Sequence, residues 1–314
     1  MQTQTQWPWL KRVKYGEASL RQELDALRAM PRHENVVSMV DYWREPEKEK
    51  SVLALDYLAC GSLERLLDRA APRALPLPQA RLLFRGLMAG LAHMHRCGVY
   101  HRDIKPDNLL LASATALAIS DFGTATRARS TPGVGAPAFQ PPEVAATGTA
   151  PFSDKLDVWA AGLTLFMMVT GRYPFRTDGT AYQKYAQIAR EPVAIPPALP
   201  APLRALLAGM LEPDPARRLA VRDVRRHPWL AAHDTTITYI DVRPRPTVFT
   251  RQNVQRFRRQ LGRGARVDLV RGDEIPPEDE EALDADPRIR VRTVRPPFHC
   301  PCLPPSHHCS CVIL

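Results

Sequence analysis

The sequence predicts an α+β fold. Its β-like runs gather early, at Val36–Tyr42 and Ser51–Tyr57, and helical periodicity dominates afterwards. The 314 residues, 45% of them hydrophobic, suffice for one large domain or for two lobes around a sizeable core. No internal repeat is present, and the 24% charged content is that of an ordinary globular protein rather than a disordered one.

The elements follow in order. Glu17–Met30 reads as an amphipathic helix because Leu20, Leu24 and Leu27 recur at three- and four-residue spacing, and Pro31 ends it. The charged turn Arg44–Lys50 separates the two β-like runs. Gln79–His95 is mostly apolar and reads as a buried helix, and Leu117–Ser120 as a short strand. Lys155–Thr170 is strongly apolar, yet too short to cross a bilayer and charged at its start, which makes it a core helix. Leu203–Leu211 and Val221–His227 are further helices; beyond about Ala232 the pattern decays into a tail with little core of its own.

Charge and cysteines narrow the classes. The formal net charge of +10 favours acidic partners: phosphate groups, nucleic acid or an anionic membrane surface. Cys60 and Cys97 are isolated while Cys300, Cys302, Cys309 and Cys311 crowd the C-terminus, which is no framework of a small secreted fold. Met1–Leu10 lacks the apolar core of a signal peptide and no run of some 18 apolar residues exists, so a cytoplasmic protein is expected.

The chemistry sits in the middle. His101-Arg102-Asp103-Ile104-Lys105-Pro106-Asp107-Asn108 lies between a buried helix and a short strand, and Asp121-Phe122-Gly123 follows thirteen residues after Asn108. Phosphoryl transfer needs one carboxylate to accept the proton of an attacking hydroxyl and separate oxygen ligands to hold magnesium on the ATP phosphates. Asp103 suits the first role, and Asn108 and Asp121 the second. Lys105 can reach the transferring phosphate and neutralise developing charge, and Gly123 would let the backbone turn so that Asp121 faces the metal. Either triplet alone is weak evidence; both in this order and context are strong.

From about Tyr15 to Leu230 the chain resembles the eukaryotic protein kinases. HRDIKPDN and DFG match the family's catalytic and metal loops, and Lys105 is its serine/threonine variant. Gln140-Pro141-Pro142-Glu143 stands at the APE motif, and Arg218 at the buried arginine that pairs with Glu143. Glu23 matches the helix-C glutamate, Leu55 the gatekeeper, and Asp56–Ala59 the hinge that hydrogen-bonds adenine. The resemblance implies a protein-kinase-like two-lobe fold: a partial N-lobe over residues 1–57, a mostly helical C-lobe over 58–231, and a largely disordered tail over 232–314. It implies ATP and Mg2+ as cofactors, with Glu23, Asp56, Leu58 and Leu110 around the nucleotide, and a protein substrate. A narrower resemblance, to the liver kinase B family upstream of the AMP-activated kinases, rests on Gly135-Ala136-Pro137-Ala138-Phe139-Gln140-Pro141-Pro142-Glu143-Val144, on Gly16-Glu17-Ala18 and on Thr170–Phe175. It implies a STRAD-like pseudokinase and a helical-repeat scaffold as partners. Ser130 and Thr131 are the clear phosphorylatable pair ahead of Thr147.

The chain departs from the family at its start. Only twenty-two residues precede Glu23, too few for a glycine-rich loop on two strands and a lysine on the third. The Gly-x-Gly at Gly133–Gly135 follows the metal loop and reads as a flexible loop. Lys11 and Lys14 are candidates for the ATP lysine, but both sit closer to Glu23 than the strand-to-helix connection should allow. Two readings are open: an active enzyme met in truncated form, or a pseudokinase scaffold. Retention of Asp103, Asn108 and Asp121 favours the first.

The tail ends in Cys311-Val312-Ile313-Leu314, a prenylation box whose leucine favours geranylgeranyl, with Cys309 as a palmitoylation candidate. Arg288, Arg290, Arg292 and Arg295 precede it with no acid after Asp286, so the expectation is peripheral membrane attachment through Cys311. Zinc binding by His299, Cys300, Cys302, His307, His308 and Cys309 is a rival of suitable chemistry but without standard spacing. Nucleic-acid binding by Arg251–Arg266 has thin support, since Phe257 is its single aromatic and a solvated basic helix explains it.

Overall fold

The computed structural model of the protein describes residues 9–14, 18–45, 50–70, 73–127, 130–132, 135–151, 154–175, 181–242 and 291–294. The N-terminal lobe holds β1 (Trp9–Lys14), α1 (Ala18–Ala29), β2 (Met39–Glu45) and β3 (Lys50–Leu55), and its sheet runs β1-β3-β2, antiparallel throughout. β1 was missed by the sequence reading. Its short apolar run Trp9-Leu10-Lys11-Arg12-Val13 gains its partner from Val52–Leu55, forty residues on, a pairing that local pattern does not reveal. In that ladder Lys11 lies opposite Leu53 and Lys14 opposite Lys50, and α1 begins four residues after Lys14. On α1 the Leu20, Leu24 and Leu27 stripe is buried, as the periodicity requires.

The expected strand from Val36 begins instead at Met39, because Asn35–Val37 is used to join the lobes. Val37 N donates to Ile119 O at 2.9 Å, Ile119 N to Asn35 O at 2.9 Å, and Asn35 Nδ2 to Leu117 O at 2.8 Å. This loop lies directly on the long helix beneath it. A Cβ added at Gly90 would stand 2.6 Å from Asn35 O, so only glycine permits the approach.

The C-terminal lobe is built on α2 (Leu63–Arg69), α3 (Leu77–Arg96) and the hairpin of β4 (Leu109–Ser113) and β5 (Ala116–Ile119). β6 (Ser130–Pro132) pairs with β7 (Thr149–Pro151), and α4 (Pro142–Thr147) lies between them in sequence. α5 (Lys155–Thr170) is buried around its whole circumference, with Val158, Trp159, Leu163 and Met168 fully inaccessible, which explains its uniform apolarity without a membrane. α6 (Ala181–Arg190), α7 (Ala201–Met210), α8 (Val221–Arg226) and α9 (Pro228–Ala231) complete the helical layer. Among the described residues no helix is long and apolar enough to cross a membrane.

The chain continues to pack beyond Ala232. Asp234 pairs with Arg81, and β8 (Ile237–Ile240) is held by the fully buried Gln79. Ile240 N donates to Gln79 Oε1 at 2.9 Å, while Gln79 Nε2 donates to Ile240 O at 3.0 Å and to Ala114 O at 2.8 Å. β9 (Val291–Val294) pairs antiparallel with β8. The zinc candidates, the helix expected at Arg251–Arg266, Arg288, Arg290, Arg295, Cys309 and the Cys311–Leu314 box lie outside the described residues.

Candidate active site

Backbone strain places the catalytic loop. Arg102 adopts φ 65°, rare for a residue with a side chain, and the loop around it is tied down from below. The Asp157 carboxylate, fully buried at the start of α5, accepts from His101 N at 3.0 Å, Arg102 N at 2.8 Å and His95 Nε2 at 2.8 Å. Burial alone would raise its pKa, but the His95 hydrogen bond and charge, the charge of His101 and the Arg102 N–H outweigh that and hold it below the usual carboxylate range. Motif matching alone gives Asp157 no such role; a carboxylate opening an otherwise apolar helix is the sequence signal for it.

Hydrogen bonds at both ring nitrogens hold His101 in place. Asp103 N donates to its Nδ1 at 3.3 Å, so Nε2 carries the hydrogen that reaches Ser120 O at 3.0 Å. Its ring meets Phe122 edge-on at 5.4 Å. Phe122 is 1% exposed, and the turn it begins packs against α1, on which Glu23 is 2% exposed.

Asp103 itself accepts from three donors. Oδ2 accepts from Lys105 Nζ at 2.8 Å and from Asn108 Nδ2 at 2.9 Å, and Oδ1 accepts from Ala136 N at 2.6 Å. Asn108 Nδ2 also donates to Asp103 O at 2.8 Å, so its amide N–H groups face Asp103 and its Oδ1 remains for a cation. Asp121 is exposed and left-handed at φ 63°. This corrects the expectation for Gly123: the unusual turn is made by Asp121 itself. A Cβ at Gly123 would meet Asp121 Oδ1 at an ordinary 3.4 Å. Carboxylate and amide oxygens are the hard donors magnesium takes, so Asn108 and Asp121 fit it. Among the described residues no group of three His, Cys, Asp or Glu side chains could hold a metal by itself.

Around the nucleotide site, Leu55 is 2% exposed at the end of β3. The Asp56 side chain serves the hinge's own structure: Oδ2 accepts from Ser38 N at 3.0 Å, and Oδ1 faces Arg32 at 3.5 Å. Leu58 is partly buried, and Leu110 lies half-exposed between the inaccessible Leu109 and Leu111, on the opposite face of β4. Leu111 N donates to Gly61 O at 2.8 Å, fastening the hinge to that hairpin.

The predicted Glu143–Arg218 pair is present and bidentate, at 2.8 Å on each oxygen. Arg218 is 1% exposed and its other donors reach Glu212 O at 2.9 Å, Lys155 O at 3.0 Å and Pro213 O at 3.1 Å. The guanidinium lies over Trp159 at 5.0 Å from the ring centroid.

A strand-bearing lobe over a helical one, with a loop aspartate flanked by lysine and asparagine and an acidic turn beside it, defines a phosphotransferase of the kinase class. The chain belongs to the protein kinase domain family, which matches residues 9–230. It is 39% identical to serine/threonine-protein kinase STK11 of Rattus norvegicus over 246 residues, covering 76% of this chain and 56% of the relative. Identity to STK11 of Homo sapiens is 40% over 228 residues, 70% of this chain and 52% of that protein. Serine/threonine-protein kinase par-4 of Caenorhabditis elegans is 35% identical over 231 residues, 70% and 37% of the two chains. The chain thus spans about half the length of the STK11 relatives, and the liver kinase B resemblance is borne out.

Proposed function

We propose that this chain transfers the γ-phosphate of ATP to serine and threonine hydroxyls of protein substrates. The observation that carries the reading is Asp103: a side chain held by three donors, 8% exposed, beside a lysine and an asparagine amide. In the reaction the substrate hydroxyl gives its proton to the Asp103 carboxylate as its oxygen bonds to the γ-phosphorus, and the bond to the β,γ-bridging oxygen breaks. Lys105, a quarter exposed and touching Asp103, offsets the charge that develops on the phosphoryl oxygens. Magnesium, when bound, neutralises the phosphates; Asn108 and Asp121 would hold it. Phe122, seated on His101 under α1, keeps Asp121 at the mouth of the site.

The finer reading follows the liver kinase B likeness: substrates among AMP-activated-type kinases, a STRAD-like pseudokinase and scaffold as partners, and membrane attachment through a prenylated Cys311. Similarity to STK11 over 70–76% of the chain supports the first two, and the Cys311–Leu314 box with the arginines before it supports the third.

Phosphate incorporation into a serine/threonine peptide, measured with the full chain and with Asp103→Asn, tests the proposal. A general base contributes on the order of 100- to 10,000-fold, so the variant should lose at least about 100-fold in kcat while keeping its melting temperature. Equal turnover removes Asp103 from the mechanism. No incorporation by either protein leaves the scaffold reading standing.

A further inference from the structure

We propose that the Gly135–Ala136 peptide is a positioning element for the catalytic base: its N–H orients Asp103, so that arrival of the activation-segment end and competence of the base are one event. This deepens the phosphotransfer reading and rests on it for its kinetic arm.

Two of the donors to Asp103 come from its own loop and both hold Oδ2. They leave the carboxyl plane free to turn about that oxygen. The third, Ala136 N at 2.6 Å from Oδ1, comes from thirty-three residues downstream and pins the other end. Alanine carries no polar side-chain atom, so the contact is the main chain's alone. A main-chain donor cannot swing away on a rotamer change; the whole peptide has to leave.

What holds that peptide is steric. Gly135 has φ 95°, and a Cβ there would stand 2.3 Å from Arg102 O and 3.2 Å from Asp103 Oδ1. Any side chain would lift the segment off the catalytic loop. On the far side, Phe139 N closes a turn onto Ala136 O at 2.9 Å, and the Tyr173 hydroxyl donates to Ala138 O. Burial raises the Tyr173 phenol well above its ordinary value, so it remains a donor. Glu143, seven residues beyond Ala136, is fixed by Arg218. The segment therefore runs from a rigid anchor straight to Asp103. Sequence could not show this, since a backbone N–H has no residue signature; the small pair Gly135-Ala136 before Pro137 is its only trace.

The test uses the full chain. Ala136 is replaced by its α-hydroxy acid, which turns the amide into an ester and deletes the one N–H. Gly135→Ala displaces the same peptide sterically. Gly148→Ala is the control: its φ is 68°, but its Cβ would meet nothing within 4 Å. A hydrogen bond to a charged group converts to about a ten- to hundredfold fall in kcat. The ester and Gly135→Ala should each show it, with KM for ATP and peptide within about twofold of the parent, and Gly148→Ala should keep kcat. A purely structural contact predicts the reverse, raised peptide KM with kcat retained, and that result, or an ester with unchanged kcat, overturns the proposal. Amide hydrogen exchange supplies an arm independent of turnover. The Ala136 N–H should be protected in the parent and in Lys105→Met, and should lose protection in Asp103→Ala. Protection that survives Asp103→Ala refutes the contact. Loss of protection in a chain with no turnover sinks the phosphotransfer reading alone.

Discussion

Arg218→Ala should be among the most damaging single changes in the C-terminal lobe. All five guanidinium N–H groups are bonded: two to Glu143, and one each to Glu212 O, Lys155 O and Pro213 O. The side chain is 0% exposed and Glu143 is 17% exposed, so removal strands a carboxylate that water can only partly reach. Breaking a buried pair on one side costs about 3–5 kcal/mol. The three orphaned carbonyls and the void over Trp159 place this site toward the upper end. Glu143→Gln is milder, because the amide oxygen still accepts one bond and the three carbonyls remain; about 1–3 kcal/mol is expected.

Urea unfolding followed by tryptophan fluorescence reads both, and the double variant closes a mutant cycle. A coupling energy of about 2 kcal/mol or more is expected for partners that act only through each other. If Arg218→Ala shifts the unfolding free energy by less than about 1 kcal/mol, the pair behaves as an exposed one and the reasoning fails.

Other outcomes follow from the same structure. Gly90→Ala raises intrinsic helix propensity yet should lower the melting temperature, because the new Cβ would lie 2.6 Å from Asn35 O and 2.9 Å from Ile119 Cδ1; a higher melting temperature would show that the two lobes are not in contact there. His33 and His227 are both held below 6.5 by burial, with His93 adding to the effect on His33, so between those lowered values and 6.5 the unfolded chain binds more protons. Stability should therefore fall as pH drops through that window, and His33→Gln should flatten the profile; Glu34 opposes the lowering at His33, and Arg96 and Arg225 add to it. Asp157, held below the usual carboxylate range, adds a second loss at more acid pH, as the carboxylate protonates and releases His101 N and Arg102 N. Cys311→Ser should move the protein from membrane to soluble fractions on cell fractionation, while neutralising Arg288, Arg290, Arg292 and Arg295 should only weaken binding and its salt sensitivity; a serine variant that distributes like the parent ends the lipid reading.

The parts of the site legible in the sequence are those where chemistry needs a particular side chain. Asp103, Lys105, Asn108 and Asp121 declare themselves because a proton acceptor, a cation for phosphate and two oxygen ligands for a hard cation fall in that order within two short loops. The Glu143–Arg218 pair was legible through the family resemblance, and the structure shows it. Helices with a stripe, such as Leu20-Leu24-Leu27, or with uniform apolarity, such as Lys155–Thr170, were equally plain. Illegible were features whose cause lies far along the chain. β1 exists because Val52–Leu55 supplies its ladder, and β8 holds to the lobe because Gln79 presents both halves of an amide to Ile240. The same asymmetry separates Asp103 from what aims it. The carboxylate is written in the sequence, but of its three donors only the two side chains are. The third is a peptide N–H delivered by a left-handed glycine. A motif match thus identifies which oxygen takes the proton, whereas whether that oxygen is correctly aimed depends on where the Gly135–Ala136 peptide lies. Two chains with identical catalytic loops can therefore differ in turnover through this one backbone contact.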